Sequence, residues 1–159
     1  MKHLAVVSVL LLGACSDDEF EFRGYSNSAS CNDVIAAERV YGTVTGTRIE
    51  EVPRLGRTEI TELSGGLFDR PATVSVACFS SGVVNVSYVL ADLPGAAPAF
   101  DALSVELTKL FGPWSEEQGT KGRIRTFLCG NPATVRLVEE SGKSPAQAML
   151  LVTPRRGVC

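Results

Sequence analysis

Alternating apolar and polar residues predict a chain that is mostly β-structure. Residues 72–79 and 83–91 are rich in β-branched side chains, and a short Ser-Ser-Gly segment separates them, which is typical of a β-hairpin. Residues 124–129 and 133–140 show a similar pattern on either side of Gly130-Asn131 and predict a second hairpin. Further strands are predicted at residues 43–52, 57–63 and 148–153.

Apolar residues that recur three or four positions apart predict two helices. The longer helix spans residues 98–111, where the apolar side chains form one stripe. The shorter helix spans residues 31–41, and Ser30 is a suitable N-cap for it. Residues 114–122, which follow the longer helix, show neither pattern and are predicted to be a loop.

The order of these elements favours an α+β fold. Strands outnumber helices and are joined mainly by short turns, which predicts a mainly antiparallel sheet of about six or seven strands with two helices on one face. The longer helix lies between the two hairpins, so the segment 83–129 could be a crossover connection that makes one pair of strands parallel. Residues 31–159 have a suitable length for a single domain.

The first residues differ from the rest of the chain. Lys2 and His3 form a short positive segment, and residues 4–12 form an unbroken run of apolar or small side chains. This run is too short to span a bilayer, which takes roughly 20 residues, but it suits the apolar region of a secretory signal peptide. The run ends in Leu12-Gly13-Ala14-Cys15, which resembles the lipobox of bacterial lipoproteins.

The resemblance to a lipobox implies a membrane-anchored protein of the cell envelope. Residues 1–14 would be removed as a signal peptide, and Cys15 would carry the lipid, palmitate included, that anchors the chain to a membrane on the periplasmic side. Ser16, in place of an aspartate, favours the outer membrane over the inner membrane in a host that has both. An ordinary signal peptide that happens to end in a cysteine is the alternative.

Residues 15–30 are predicted to be a flexible tether between the lipid and the domain. They are acidic at first, then small and polar, and they show no periodic pattern. Phe20, Phe22 and Tyr25 are exceptions within this segment. They are interpreted as packing loosely on the domain, and the alternative is that they form a docking segment for a partner.

The cysteines are consistent with the same cellular location. An odd number of cysteines leaves one thiol unpaired in a secreted protein, and a lipid on Cys15 accounts for it. The other four are predicted to form two disulfides, Cys31–Cys78 and Cys129–Cys159, because disulfides persist in the oxidising periplasm. The second pair rests on the expectation that the last strand returns to the end of the sheet that carries Cys129.

Composition and charge narrow the range of functions. The formal net charge is −3, which argues against a nucleic-acid partner. The only histidine, His3, lies in the predicted signal peptide. The mature chain would therefore lack the base of the Ser-His-Asp and Cys-His mechanisms and the commonest transition-metal ligand. The sequence thus predicts no catalytic residue, no metal site and no cofactor.

One group of residues is a candidate surface for binding a partner. Its members are Trp114, Lys121, Arg123, Arg125 and Arg136. A turn at Gly130-Asn131 would place Arg125 directly opposite Arg136, and like charges in that position are destabilising. Either glutamates from a strand such as 57–63 neutralise these arginines, or the group is a basic patch for an anionic partner. Trp114 is either a residue at the edge of the core or a binding anchor.

The sequence therefore predicts a non-catalytic, membrane-anchored module that binds another envelope protein, as an assembly factor, an inhibitor or an immunity-type protein does. A lipoprotein that binds a small ligand or solute is the alternative, and a deep apolar pocket would favour it. A carboxylate-dependent hydrolase is a third hypothesis, which two carboxylates facing each other in a cleft would favour. A flat sheet face with exposed aromatic residues would favour the first.

Overall fold

The computed structural model of the chain describes residues 20–26, 28–82, 84–90, 96–120, 122–127, 134–140 and 147–154. The elements within these ranges are, in chain order, β1 (Glu21–Phe22), β2 (Tyr25–Ser26), α1 (Cys31–Glu38), β3 (Gly42–Val52), β4 (Gly56–Leu67), β5 (Arg70–Phe79), β6 (Val84–Leu90), α2 (Ala96–Phe111), β7 (Trp114–Gly119), β8 (Gly122–Phe127), β9 (Thr134–Glu140) and β10 (Gln147–Thr153). Neither of these two helices has the length and apolar character needed to cross a membrane.

Eight of the strands form one sheet in the order β3-β4-β5-β6-β10-β9-β8-β7. Every neighbouring pair in it is antiparallel. After β6, α2 leads to β7 at the far edge, and the chain then returns strand by strand until β10 pairs with β6. The prediction of a mainly antiparallel α+β fold with two helices is confirmed. The predicted parallel pair is wrong for the described strands, because β10 occupies the position beside β6.

The large sheet contains one strand more than the seven that the pattern of residues predicted. Within residues 114–122, predicted to be a loop, Trp114–Gly119 form β7 and Gly122 begins β8. The sequence of β7 is Trp-Ser-Glu-Glu-Gln-Gly, and nearly all of it is exposed. A strand that buries neither face has no reason to alternate apolar and polar residues, so only its pairing with β8 identifies it.

The core lies between the helices and one face of the sheet. From α2, the side chains of Phe100, Leu103 and Leu107 are fully buried, and the helix packs on β8, β9 and β10. Helix α1 is shorter than predicted and ends at Glu38. As expected, Ser30 is its N-cap, and the Ser30 side chain accepts a hydrogen bond from the backbone N–H of Asp33.

A disulfide between Cys31 and Cys78 joins α1 to β5, with the two Cα atoms 5.8 Å apart. One of the two predicted pairs is thereby confirmed. In the chain-entropy model, closing a loop of this length stabilises the fold by about 4 kcal/mol. Cys129 and Cys159 lie outside the described residues, so their pairing stays a prediction.

Residues 20–26, which belong to the segment predicted to be a flexible tether, instead form a small hairpin that is part of the core. Phe20, Phe22 and Tyr25 are at most 5% exposed. Phe111, at the end of α2, contacts the rings of both phenylalanines, with centroid distances of 5.7 and 5.6 Å. Burying three aromatic side chains removes a large apolar area from water. The free energy gained from this burial stabilises the hairpin, although the residues around the aromatic side chains are acidic and typical of a loop.

The turn between β3 and β4 holds a residue other than glycine at a positive φ. Arg54 is exposed and has a φ of 70°, and the N–H of Leu55 donates to the carbonyl of Val52. With Pro53 before it, Arg54 occupies the third position of a type II turn, which favours glycine. Arg54→Gly should raise the free energy of unfolding by about 0.5 kcal/mol, because relief of backbone strain exceeds the added entropy of the unfolded chain.

Urea unfolding followed by the fluorescence of Trp114 would measure this change. Arg57→Gly is the matched control, since Arg57 is also an exposed arginine but lies inside β4. Glycine should lower stability there, because it weakens the interior of a strand. A midpoint for Arg54→Gly at or below that of the wild type would contradict the assignment of the turn.

Candidate functional site

Arg125 lies between α2 and the sheet and is 8% exposed. Its guanidinium stacks on the rings of Trp114 and Phe100, at 4.2 and 4.6 Å from the ring centroids. Its Nε donates to Oε2 of Glu116 at 2.7 Å, and its Nη1 donates to Oγ of Ser104 at 2.6 Å. The charge of Arg125 is therefore compensated inside the protein, where the side chain helps to pack α2 on β8.

Arg123 lies two residues earlier on β8 and points to the same face. Its Nε donates to Oε2 of Glu139 at 2.6 Å, and this hydrogen bond raises the pKa of the guanidinium. Both arginines share Asp101 of α2, whose Oδ1 is 3.4 Å from Nη1 of Arg123 and 3.0 Å from Nη1 of Arg125. The neutralising carboxylates thus come from α2, β7 and β9, and not from residues 57–63 as the sequence suggested.

The structure separates Arg136 from these two arginines. Arg125 pairs with Leu137 across β8 and β9, and Arg136 pairs with Thr126. The predicted opposition of Arg125 and Arg136 is wrong by one residue. Because side chains alternate along a strand, this shift puts Arg125 on the helix face and Arg136 on the other face. Lys121 lies outside the described residues, and a role for any of the candidates in binding a partner stays a prediction.

An open groove of about 440 Å³ runs between α2 and the edge strand β7. Val105, Thr108, Trp114 and Arg125 are among the residues that line it. Val105 is 57% exposed and Trp114 is 37% exposed, so the groove presents apolar side chains to solvent. Its volume is within the range of small-molecule sites, about 300–1,000 Å³, although it is not an enclosed cavity.

The opposite face of β5, β6, β8, β9 and β10, which we call the open face, has a different character. Val89 pairs with Met149, Met149 with Val138, and Val138 with Ile124. These four side chains form a line across β6, β10, β9 and β8, which we call the apolar row, and each of them is partly exposed. The buried side chains of these strands belong instead to the helix face.

Beside the apolar row, the open face has a pocket of about 260 Å³. Asn85, Thr134, Arg136, Leu151 and Thr153 line it. Arg136 is exposed. The Oδ1 atom of Asn85 is buried and has no hydrogen-bond partner among the described residues. The pocket is therefore lined by a cationic side chain, two threonines, a leucine and an asparagine.

A third polar cluster is buried inside the core. Glu38 is 1% exposed, and its Oε1 accepts a hydrogen bond from the hydroxyl of Tyr88. The hydroxyl of Tyr25 lies 3.0 Å from that of Tyr88. Nε of Arg23 is 3.4 Å from Oε2 of Glu38, and Nη1 of Arg23 donates to the carbonyl of Gly66 at 2.6 Å. This cluster attaches the N-terminal hairpin to α1, β4 and β6.

Burial sets the protonation of this cluster. Loss of solvation raises the pKa of Glu38, while the hydrogen bond from Tyr88 and the charge of Arg23 oppose the rise. Burial also raises the pKa of Tyr25 and Tyr88, which keeps both hydroxyls neutral. The pattern of residues did not predict a role for Glu38, although its position four residues after the buried Val34 puts it on the same helix face.

Tyr88→Phe should destabilise the protein by about 2 kcal/mol when Glu38 is ionised, because a buried carboxylate loses a hydrogen-bond donor. The loss should be smaller at low pH. The folded-state pKa of Glu38 is raised, so the folded chain keeps a proton that the unfolded chain releases. The contribution of Glu38 to stability is therefore greatest at low pH and declines as pH rises through the folded-state pKa.

Urea unfolding between about pH 4 and pH 9 would test this, since buried glutamates titrate within that range. Tyr25→Phe is the matched control, because it removes a hydroxyl that contacts Tyr88 but not Glu38. Its cost should be smaller and nearly independent of pH. Equal losses for Tyr88→Phe at both ends of the range would refute the coupling of Tyr88 to Glu38.

Among the described residues, no group of three or more histidine, cysteine, aspartate or glutamate side chains is arranged to hold a metal ion. No family model, no curated protein and no solved structure matches this chain.

Proposed function

We propose that this chain is a lipoprotein of the cell envelope, anchored by a lipid on Cys15, that binds another envelope protein through its open face and catalyses no reaction itself. Assembly factors, inhibitors and immunity-type proteins work in this way. The observation that carries the proposal is the apolar row, a line of four partly exposed side chains across adjacent strands.

The cellular location rests on the first residues and on the disulfide. The signal-like run at residues 4–12 and the lipobox-like end at Cys15 imply export and a lipid anchor. The Cys31–Cys78 disulfide is consistent with an oxidising compartment. Ser16 after the cysteine supports the outer membrane as the destination.

The surroundings of the apolar row favour a macromolecular partner. At one end of the row, Thr73 pairs with Val89, and at the other end Glu117 pairs with Ile124. An apolar centre between polar ends is the usual arrangement of a protein interface. Exposed aromatic residues are absent from the row, so the proposal depends on its shape and continuity. A sheet face of this kind fits an apolar surface of another protein better than it fits a small molecule.

The groove between α2 and β7 supports a second candidate function, the binding of a small apolar ligand. Its volume of about 440 Å³ suits such a ligand. Arg125 and Lys109 line it too, but each has an acidic partner within the chain, Glu116 and Glu106 respectively. An uncharged ligand would therefore fit best.

We also propose the second disulfide, Cys129–Cys159. β8 and β10 are both antiparallel to β9, so they run in the same direction and end on the same side of the sheet. Two strand spacings, about 10 Å, separate them. Cys129 comes two residues after the end of β8, and Cys159 comes six residues after the end of β10. These lengths of chain are sufficient to bring the two cysteines together.

Intact-mass spectrometry of the protein isolated from membranes would test the anchor and the disulfides together. We expect a chain that begins at Cys15, carries acyl chains, and lacks the hydrogens that two disulfides remove. Cys15→Ser should abolish acylation and release the protein from the membrane fraction. A wild-type mass without acyl chains would rule out the anchor, and a mass with a single disulfide would rule out Cys129–Cys159.

Site-specific photo-crosslinking in cells would test the open face. A photo-reactive residue at Met149, in the middle of the apolar row, should form one defined adduct with an envelope protein. The same residue at Val40, which is 78% exposed but remote from the row, should form none. Met149→Lys should reduce partner binding roughly tenfold or more, because it places a charge in an apolar interface.

Val40→Lys is the matched control for Met149→Lys and should leave partner binding unchanged. Thermal unfolding of both variants would show that the folded state is retained. Adducts from a photo-reactive residue at Val105 in the groove, with none at Met149, would contradict partner binding by the open face. They would indicate that the groove is the binding site.

A further inference from the structure

Arg136 differs from the arginines on the helix face in the absence of a carboxylate partner. Arg123 and Arg125 are both within ion-pair distance of acidic side chains. No acidic side chain that the structure describes lies within that distance of Arg136, which projects from β9 on the open face and is exposed. An uncompensated guanidinium beside an apolar row can attract an anion.

No acidic side chain lies next to Arg136 along the row of side chains that crosses β10, β6 and β5. Its neighbour across the strand pair is Leu151 on β10. Continuing across the sheet, Leu151 pairs with Ser87, Ser87 with Ser75, and Ser75 with Glu62 on β4. Glu62 is thus four strand spacings from Arg136, about 19 Å. It is also engaged by Arg48, whose Nη1 donates to its carboxylate.

The sequence next to this end of the sheet adds positive charge. Residues 128–133 lead into β9 and contain no aspartate or glutamate. Residues 155–159 follow β10, contain no acidic residue either, and begin with Arg155 and Arg156. Among the described residues that line the pocket, Arg136 is the one charged side chain, although the whole chain is mildly acidic.

The pocket supplies neutral groups that complete an anion site. Thr134 and Thr153 pair across β9 and β10 and both line the pocket. A threonine hydroxyl can donate a hydrogen bond. The side chain of Asn85 also lines the pocket, while its Oδ1 atom is buried within the fold. A carboxylate suits this lining, because it can accept hydrogen bonds from the guanidinium of Arg136 and from threonine hydroxyls.

We infer that the pocket formed by Asn85, Thr134, Arg136, Leu151 and Thr153 binds an aspartate or glutamate side chain of the partner protein. This inference rests on the proposed function and specifies the chemistry of the partner. The partner segment carries one acidic residue next to apolar residues. The acidic residue enters the pocket, while its apolar neighbours cover Leu151 and the apolar row.

Titration of the isotope-labelled full chain in detergent with the blocked peptide acetyl-Leu-Asp-Leu-amide would test the inference by NMR. We expect saturable shifts of the backbone amides of Thr134, Arg136 and Thr153. Arg136→Gln should weaken binding roughly tenfold, because a charge-assisted hydrogen bond is lost. Arg57→Gln, which changes another exposed arginine, should bind like the wild type.

The peptide acetyl-Leu-Asn-Leu-amide, which has no charge, is the matched probe and should bind at least several-fold more weakly. Equal binding of the two peptides, or unchanged affinity of Arg136→Gln, would overturn the inference. Crosslinking from Met149 in the Arg136→Gln variant separates this failure from failure of the proposed function. Adducts that persist there at the wild-type level show that the open face binds a partner without using this pocket.

Discussion

Two helices cover one face of most of the eight-stranded sheet, and the rest of this structure depends on that constraint. Helix α2 covers β8, β9 and β10, while α1 lies on β5. The N-terminal hairpin fills the space between the helices, where Phe22 contacts Tyr88 of β6 at a centroid distance of 6.0 Å. Phe111 links that hairpin to α2. With the helix side closed in this way, the open face is left for other contacts.

The distribution of charge follows the same division. On the helix side, Arg125 and Arg23 each have an acidic partner within the chain, because an uncompensated charge at a packed interface is costly. On the open face, Arg136 is exposed to solvent and needs no such partner for the chain to fold. The position of an arginine relative to the helix layer therefore decides whether its charge is compensated within the chain.

Sequence patterns predicted those parts of the fold in which one face is buried. Alternation identified β5, β6, β8, β9 and β10, and helical spacing identified α2, because burial selects the residue at every second or every third to fourth position. β7 escaped prediction since it buries neither face. The hairpin at residues 20–26 was not predicted, because the composition of this segment resembles a loop and does not show that three aromatic rings are buried.

For the candidate site, the sequence predicted the types of residue involved but not their arrangement. Arg125 and Arg136 were recognised as unusual, but their relation depends on strand register, and a shift of one residue sends their side chains to opposite faces. The pocket on the open face needed residues from three strands, β6, β9 and β10, whose order the sequence did not specify. The burial of Glu38 could not be predicted without knowing which side of the short helix α1 faces the core.

If Cys15 carries the proposed lipid, the N-terminal hairpin also limits how far the domain can move from the bilayer. Phe20 is fixed in the core and lies five residues after Cys15, a length of chain that spans at most about 18 Å. A domain of this size is about 36 Å across. With the proposed lipid in place, the segment between Cys15 and Phe20 is shorter than the diameter of the domain. The protein would search for its partner in two dimensions, within one molecular diameter of the membrane surface.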